Sequence, residues 1–193
     1  MSRIVVLNHV TLDGVMQAPG RLEEDTRGGF PYGGWGALHA DDVMRKKTFE
    51  DRGDGAGLLL GRRSYEEMLS YWNEQGGPFK DALNNAPKYV ASTTLREPLS
   101  WPNSMLLSDD VPGAVERLKK ELEGDLLVMG SGNLLQTLMH HDLIDEYMLV
   151  IHPLVFGTGT RLFGEGSPKI SLRLVECTPT PRGVLIATYE PER

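Results

Sequence analysis

The chain has 193 residues, with 20 Lys and Arg against 27 Asp and Glu, for a formal charge of −7. That length suits one domain, 1–193, and 40% hydrophobic with 24% charged residues is the composition of a soluble globular protein, while the single cysteine, Cys177, excludes an internal disulfide framework. Net acidity argues against a nucleic-acid surface, no run approaches the ~18 apolar residues of a membrane span, and residues 1–10 lack a secretory pattern, so a cytoplasmic protein with neither partner is expected.

Taken in chain order, Ile4 to Leu7 form an unbroken apolar run, predicting a strand over 2–11 that is buried on both faces. Asp13-Gly14 ends it in a turn. Residues 17–35 are rich in Gly, Pro and charge, a loop long enough to be functional. Residues 39–51 read as a helix, with Ala40, Val43, Met44 and Phe49 at helical spacing and Asp41 and Asp42 in its first turn. A short buried strand at 57–61 leads into a helix at Arg62. Next come a helix over 78–85, a strand over 88–92, a strand over 105–107 and a helix over 112–123. The strand at 126–129 feeds a helix over 131–140, and 144–153 reads as a strand with Met148, Val150 and His152 on one face. Strands at 172–177 and 184–189 close a hairpin. Alternation of this kind predicts an α/β fold, with a mostly parallel central sheet and a C-terminal antiparallel hairpin.

Three strand-to-helix edges could carry chemistry. In Met129-Gly130-Ser131-Gly132-Asn133-Leu134 a buried strand meets small residues and then a helix start, whose free N–H groups and dipole favour a phosphate. A tight turn capped by Ser131 or Asn133 explains the same residues, and both readings stay open here. Gly61-Arg62-Arg63-Ser64 adds guanidinium donors at a second helix start, a poor match to the helix dipole unless an anion sits there. Solvated surface arginines are the alternative. Ser92 and Thr93 put hydroxyls at a third edge. Three such edges can line one elongated cofactor.

Asp13, Asp41 and Asp42 are the acidic candidates, with turn and helix-start roles as alternatives. His140 and His141 have no metal spacing, and His152 before Pro153 reads as a strand residue. No GxSxG, CxxC, Walker or deaminase pattern occurs, so metal, serine-hydrolase and deaminase chemistry are not expected. The three tryptophans read as packing, with Trp35 placed to cover a ligand.

The blocks Thr11-Leu12-Asp13-Gly14-Val15, 60–66, 90–93, 129–134, 143–146 and 151–157 occur in an order and spacing that span almost the whole chain. On these blocks the chain resembles the dihydrofolate-reductase-like superfamily, in the branch of the riboflavin-biosynthesis reductase domain. The resemblance implies a three-layer α/β/α fold, NADPH as cofactor and hydride transfer to a small-molecule substrate, a heterocycle or a sugar-derived imine or carbonyl. By position, Gly61, Arg62, Arg63 and Ser64 would hold adenosine-side phosphates, with Arg62, Ser92 and Thr93 near the 2′-phosphate. Gly130, Ser131, Gly132, Asn133 and Leu134 would cradle the pyrophosphate. Thr11, Asp13, Gly14 and Val15 would border the nicotinamide. Asp13, Asp41 and Asp42 are the catalytic candidates, and Asp41 or Asp42 is the nearest analogue of the folate enzymes' proton-donating carboxylate. The sequence around them departs from the folate pattern. The resemblance also implies a homodimer. A pterin or dihydrofolate reductase, or a nucleotide-binding module without chemistry, are the alternatives.

Overall fold

The short aliphatic runs at 57–61 and 126–129 become strands of this fold, one ending at Gly61 and the other just before Gly130. The structure, a computed structural model, describes residues 2–50, 55 and 57–193. The strands are β1 (Ile4–Thr11), β2 (Gly57–Gly61), β3 (Lys88–Ala91), β4 (Ser104–Leu107), β5 (Leu126–Met129), β6 (Glu146–His152), β7 (Leu172–Pro179) and β8 (Leu185–Pro191). They hydrogen-bond in the order β4-β3-β2-β5-β1-β6-β8-β7. This is the expected α/β architecture. The chain divides into two compact units, Met1–Val5 with Asp54–Ile144 and Val6–Gly53 with Asp145–Arg193.

In the first unit β2 pairs in parallel with β3 and β5, and β3 with β4. Parallel pairing follows from helical crossovers: α2 (Arg62–Gln75), α3 (Gly77–Asn85), α4 (Val111–Glu121) and α5 (Gly132–His140) separate the strands. Leu58, Leu60, Tyr65, Leu83, Val90 and Trp101 form its core, with Trp72 and Phe79 against them. The Tyr65 hydroxyl accepts the Trp101 backbone N–H at 2.7 Å. Lys88 is also buried here, donating through Nζ to the carbonyl of Ala86 at 2.6 Å and to that of Leu83. A buried ammonium needs such acceptors at the end of α3.

In the second unit β8 pairs antiparallel with both β6 and β7, the latter with a bulge between Leu174 and Glu176. The antiparallel hairpin is therefore present and extends to β6. Tyr147 and Leu149 of β6 are as buried as Val150 and His152, so both faces of this strand are covered. Val15, Ala18, Phe30 and Trp35 form one core cluster of this unit.

The predicted helix over 39–51 is broken. Trp35–His39 is a 3-10 turn, α1 spans only Asp42–Arg45, and a π turn covers Lys46–Glu50. Asp41 sits in extended conformation, its Oδ1 accepting the Met44 N–H at 2.8 Å, so it starts the helix and cannot lie inside it. Thr48 Oγ1 then donates to the Met44 carbonyl at 2.8 Å, competing with the regular ladder. Asp51 and the Phe49 side chain, which the predicted helix includes, lie outside the described residues.

Candidate functional site

In the first unit the pairing register puts Gly61 opposite Ala91, so β2 and β3 end together, with β5 parallel to β2. The junctions after these strands thus share one sheet edge, the edge at which open α/β sheets take ligands. Two are stitched by hydroxyls. The Gly61 N–H donates to Ser131 Oγ at 3.0 Å, the Ser131 N–H donates to Ser64 Oγ at 2.8 Å, and Ser131 Oγ donates to the Met129 carbonyl at 2.9 Å. Ser64 and Ser131 are therefore spent on the fold. The glycine requirement is local: Gly130 has φ +58°, and a Cβ there would lie 2.8 Å from Ser64 Oγ.

No side chain caps the first turn of α2 or α5, since Gly61 has none and Ser131 is left-handed, at φ 57°. Two helix starts thus present backbone N–H groups beside bare glycine, the arrangement that suits an anion. Leu134 packs near Gly61, whereas Asn133 and Arg63 are exposed. Arg62 pairs with Glu66 at 3.3 Å, both side chains being over 40% exposed, so that ion pair holds the guanidinium only loosely. Ser92 Oγ accepts the N–H groups of Thr94 and Leu95 at 3.1 and 3.0 Å, shaping the turn, while Thr93 is exposed.

The second unit brings Thr11, Asp13, Gly14 and Val15 into one tight turn. Thr11 Oγ1 donates to Asp13 Oδ1 at 2.6 Å and accepts the Val15 N–H at 2.9 Å. Asp13 also accepts from the Gly157 N–H at 2.9 Å, the Phe156 N–H at 3.3 Å and Arg161 at 3.4 Å. The Thr11 hydroxyl and these backbone donors stabilise the carboxylate and lower its pKa to about 2. Asp13 is ionised at neutral pH and serves as a clasp between the 11–15 turn and the 156–161 loop. Asp41 is held below the usual carboxylate range, chiefly by the Met44 N–H. Asp42 is exposed beside Arg45, at 3.4 Å.

The 17–35 loop is ordered by Gln17, which the sequence does not flag. Its amide donates to the carbonyls of Asp25 and Arg27 at 3.1 and 3.0 Å and accepts the Thr160 N–H at 2.9 Å. Trp35 is 2% exposed with Nε1 bonded to the Gln17 carbonyl at 2.7 Å, which makes it core and not a ligand cover. His9 and His152 are also joined, Nδ1 to Nε2 at 2.9 Å. Asn8 and His9, which break the apolar run of β1 two to three positions before Thr11, are the sequence signal on that strand. Among the described residues no group of three His, Cys, Asp or Glu could hold a metal ion, and no helix is long and apolar enough to cross a membrane.

Comparison with known proteins follows the same outline. Residues 3–186 match the RibD C-terminal domain family. The protein YyaP of Bacillus subtilis strain 168, itself uncharacterized, is 28% identical over 137 residues, 68% of this chain and 72% of that protein. Dihydrofolate reductase from Enterococcus faecalis, complexed with NADP(H) and RAB-propyl, superposes with a TM-score of 0.62 at 15% identity over 99% of this chain and 97% of that one. A Thermotoga maritima diaminohydroxyphosphoribosylaminopyrimidine deaminase/5-amino-6-(5-phosphoribosylamino)uracil reductase gives a TM-score of 0.62 at 16% identity, covering 99% of this chain and 57% of that one. At these identities the two structures are similar in fold alone.

Proposed function

Since this chain belongs to the RibD C-terminal domain family, we propose that it is an NADPH-dependent reductase of a small heterocyclic or ribosylamino-pyrimidine-like substrate. The observation that carries the reading is the pair of uncapped helix starts at one sheet edge, with bare Gly61 and Gly130 and with Arg62 beside them. In an acidic chain this is a local positive exception fitted to phosphate. The fit extends to the cofactor's parts. Gly130 and the α5 start, Gly132, Asn133 and Leu134, suit the pyrophosphate. Arg62 and Arg63, with Thr93 on the neighbouring edge, suit the 2′-phosphate that distinguishes NADPH from NADH.

Bound NADPH supplies the hydride. The chain's own task is to position both partners and exclude water. The Thr11–Val15 turn, fixed by Asp13, is assigned to the nicotinamide border, where its tight backbone leaves little freedom. Asp13 acts by holding that turn, because an ionised carboxylate with four donors has no proton to give. A second reading, a nucleotide module without chemistry, is favoured by that same lack of a protonated carboxylate. We also propose a homodimer, supported by the exposed Leu174 and Val175 on edge strand β7.

The test is twofold. Fluorescence titration should show NADPH binding at least tenfold tighter than NADH, and NADPH should be oxidised with a pterin or pyrimidine acceptor. Binding without oxidation by any such acceptor selects the module reading, and no preference for NADPH removes the 2′-phosphate assignment. A monomer mass in solution at micromolar concentration removes the dimer.

A further inference from the structure

Three imidazoles and an indole meet in the second unit. His152, at the end of β6, is fully buried. Its ring centroid lies 5.1 Å from His9, 5.1 Å from Trp35 and 6.0 Å from His39. His152 Nε2 meets His9 Nδ1 at 2.9 Å, while His152 Nδ1 is buried and has no partner among the described residues. His9 keeps partial exposure, and its Nε2 has no partner among the described residues.

That geometry assigns the protons. One hydrogen lies between the two rings. If His9 supplied it, His152 would carry its own hydrogen on Nδ1, a buried N–H with nothing to bond, which is the costly kind of orphan. If His152 supplies it from Nε2, the orphan Nδ1 is a bare acceptor, which costs less. His9 then carries its hydrogen on Nε2, the ring atom that the pair leaves unused. Fixing one imidazole nitrogen so that the other presents a defined role is how histidines are oriented for chemistry.

We propose that His9 is a catalytic residue, donating a hydrogen bond from Nε2–H to the substrate oxygen or nitrogen that gains negative charge in the reduction, with His152 as the positioning residue that sets its tautomer. The proposal rests on the reductase reading. His9 lies two residues before Thr11 on β1, so both project from the same face of that strand, just ahead of the turn assigned to the nicotinamide. The electron pair leaves the C=N or C=O bond for the heteroatom as hydride reaches carbon, and a solvent proton completes the reduced product. A neutral donor suits this step, because it stabilises developing charge without needing to be loaded with a proton. Both rings are neutral at pH 7: burial lowers His9 to about 4 and His152 to about 3, and repulsion from the cationic forms of His9 and His39 adds to the lowering of His152. No carboxylate among the described residues bonds to any of the three rings.

Two measurements decide it. In the full chain, nitrogen NMR at pH 7 should show His9 as the Nε2–H tautomer. His152→Leu should mix its tautomers, and His152→Gln, which can still donate, should restore the single form. In NADPH oxidation, His9→Leu should lower kcat by about 10²–10³-fold, the cost of one such donor, with KM changed less than about threefold. His9→Gln, which keeps an N–H, should recover at least tenfold of that loss. A His9 protonated on Nδ1, or cationic at pH 7, overturns the proposal whatever the activity, and it decides the matter if His9→Leu does not fold. A wild-type enzyme that turns over while His9→Leu keeps its kcat overturns the proposal alone. A wild-type chain that oxidises NADPH with no acceptor removes the reductase reading and this role together.

Discussion

Replacing Asp13 by Asn tests the clasp directly, because it keeps the shape and removes the charge. One carboxylate receives Thr11 Oγ1, two backbone N–H groups and Arg161. An amide can accept at one oxygen only, and its NH2 would face the N–H of Gly157 or the Thr11 hydroxyl. The pKa drop from 3.8 to about 2 corresponds to about 2.4 kcal/mol at ~1.36 kcal/mol per unit. With the side chain 19% exposed, solvent screening trims this to about 1.5–2 kcal/mol. A depressed carboxylate contributes fully above its unfolded pKa, and the contribution is lost as pH falls through the folded value. The gap between wild type and Asp13→Asn should therefore be whole at pH 7, about half as large near pH 3 and gone below pH 2. Urea unfolding followed by tryptophan fluorescence at pH 7, 5 and 3 measures it. A gap under 0.5 kcal/mol at pH 7 would refute the clasp, where the scale is ~1 kcal/mol per hydrogen bond. So would a gap that does not change between pH 7 and 3.

Two further substitutions bear on the first unit. Arg62→Ala should weaken NADPH about 10–100-fold, the range of a charge-assisted phosphate contact, and NADH by less than about threefold; equal weakening in fluorescence titration removes Arg62 from the 2′-phosphate. Ser131→Ala leaves the Gly61 N–H and the Met129 carbonyl without a side-chain partner, so thermal melting should fall by about 2–12 °C, for a loss of ~1–3 kcal/mol. An unchanged melting temperature means the stitch adds nothing to stability.

Much of the architecture is legible because its signals are local. The 57–61 and 126–129 strands announce themselves by apolar runs, and the junctions after them by Gly61 and Gly130. The breaks near residue 41 are less visible. Asp41 is as reasonable inside a first turn as at its cap, and only its extended backbone and bond to Met44 decide the matter. Side-chain roles made by distant partners are not legible at all. Asp13 reads as a turn residue until Phe156 and Gly157, more than 140 positions later, are seen to point their N–H groups at it. The His9–His152 pair is separated by 143 positions, and although His152 falls in the 151–157 block, nothing in that block points to His9. Gln17 is one polar letter in a polar loop, yet it ties that loop together.

The crossed bonds among Gly61, Ser64 and Ser131 also bear on how fast and how tightly an anion could be taken up. Two amides are shielded from solvent exchange before any ligand arrives, and the starts of α2 and α5 keep their spacing in the free protein. A phosphate group taken up at the proposed site would meet two helix starts already held in place. Its association would then be governed by diffusion and desolvation, with little conformational entropy lost on binding.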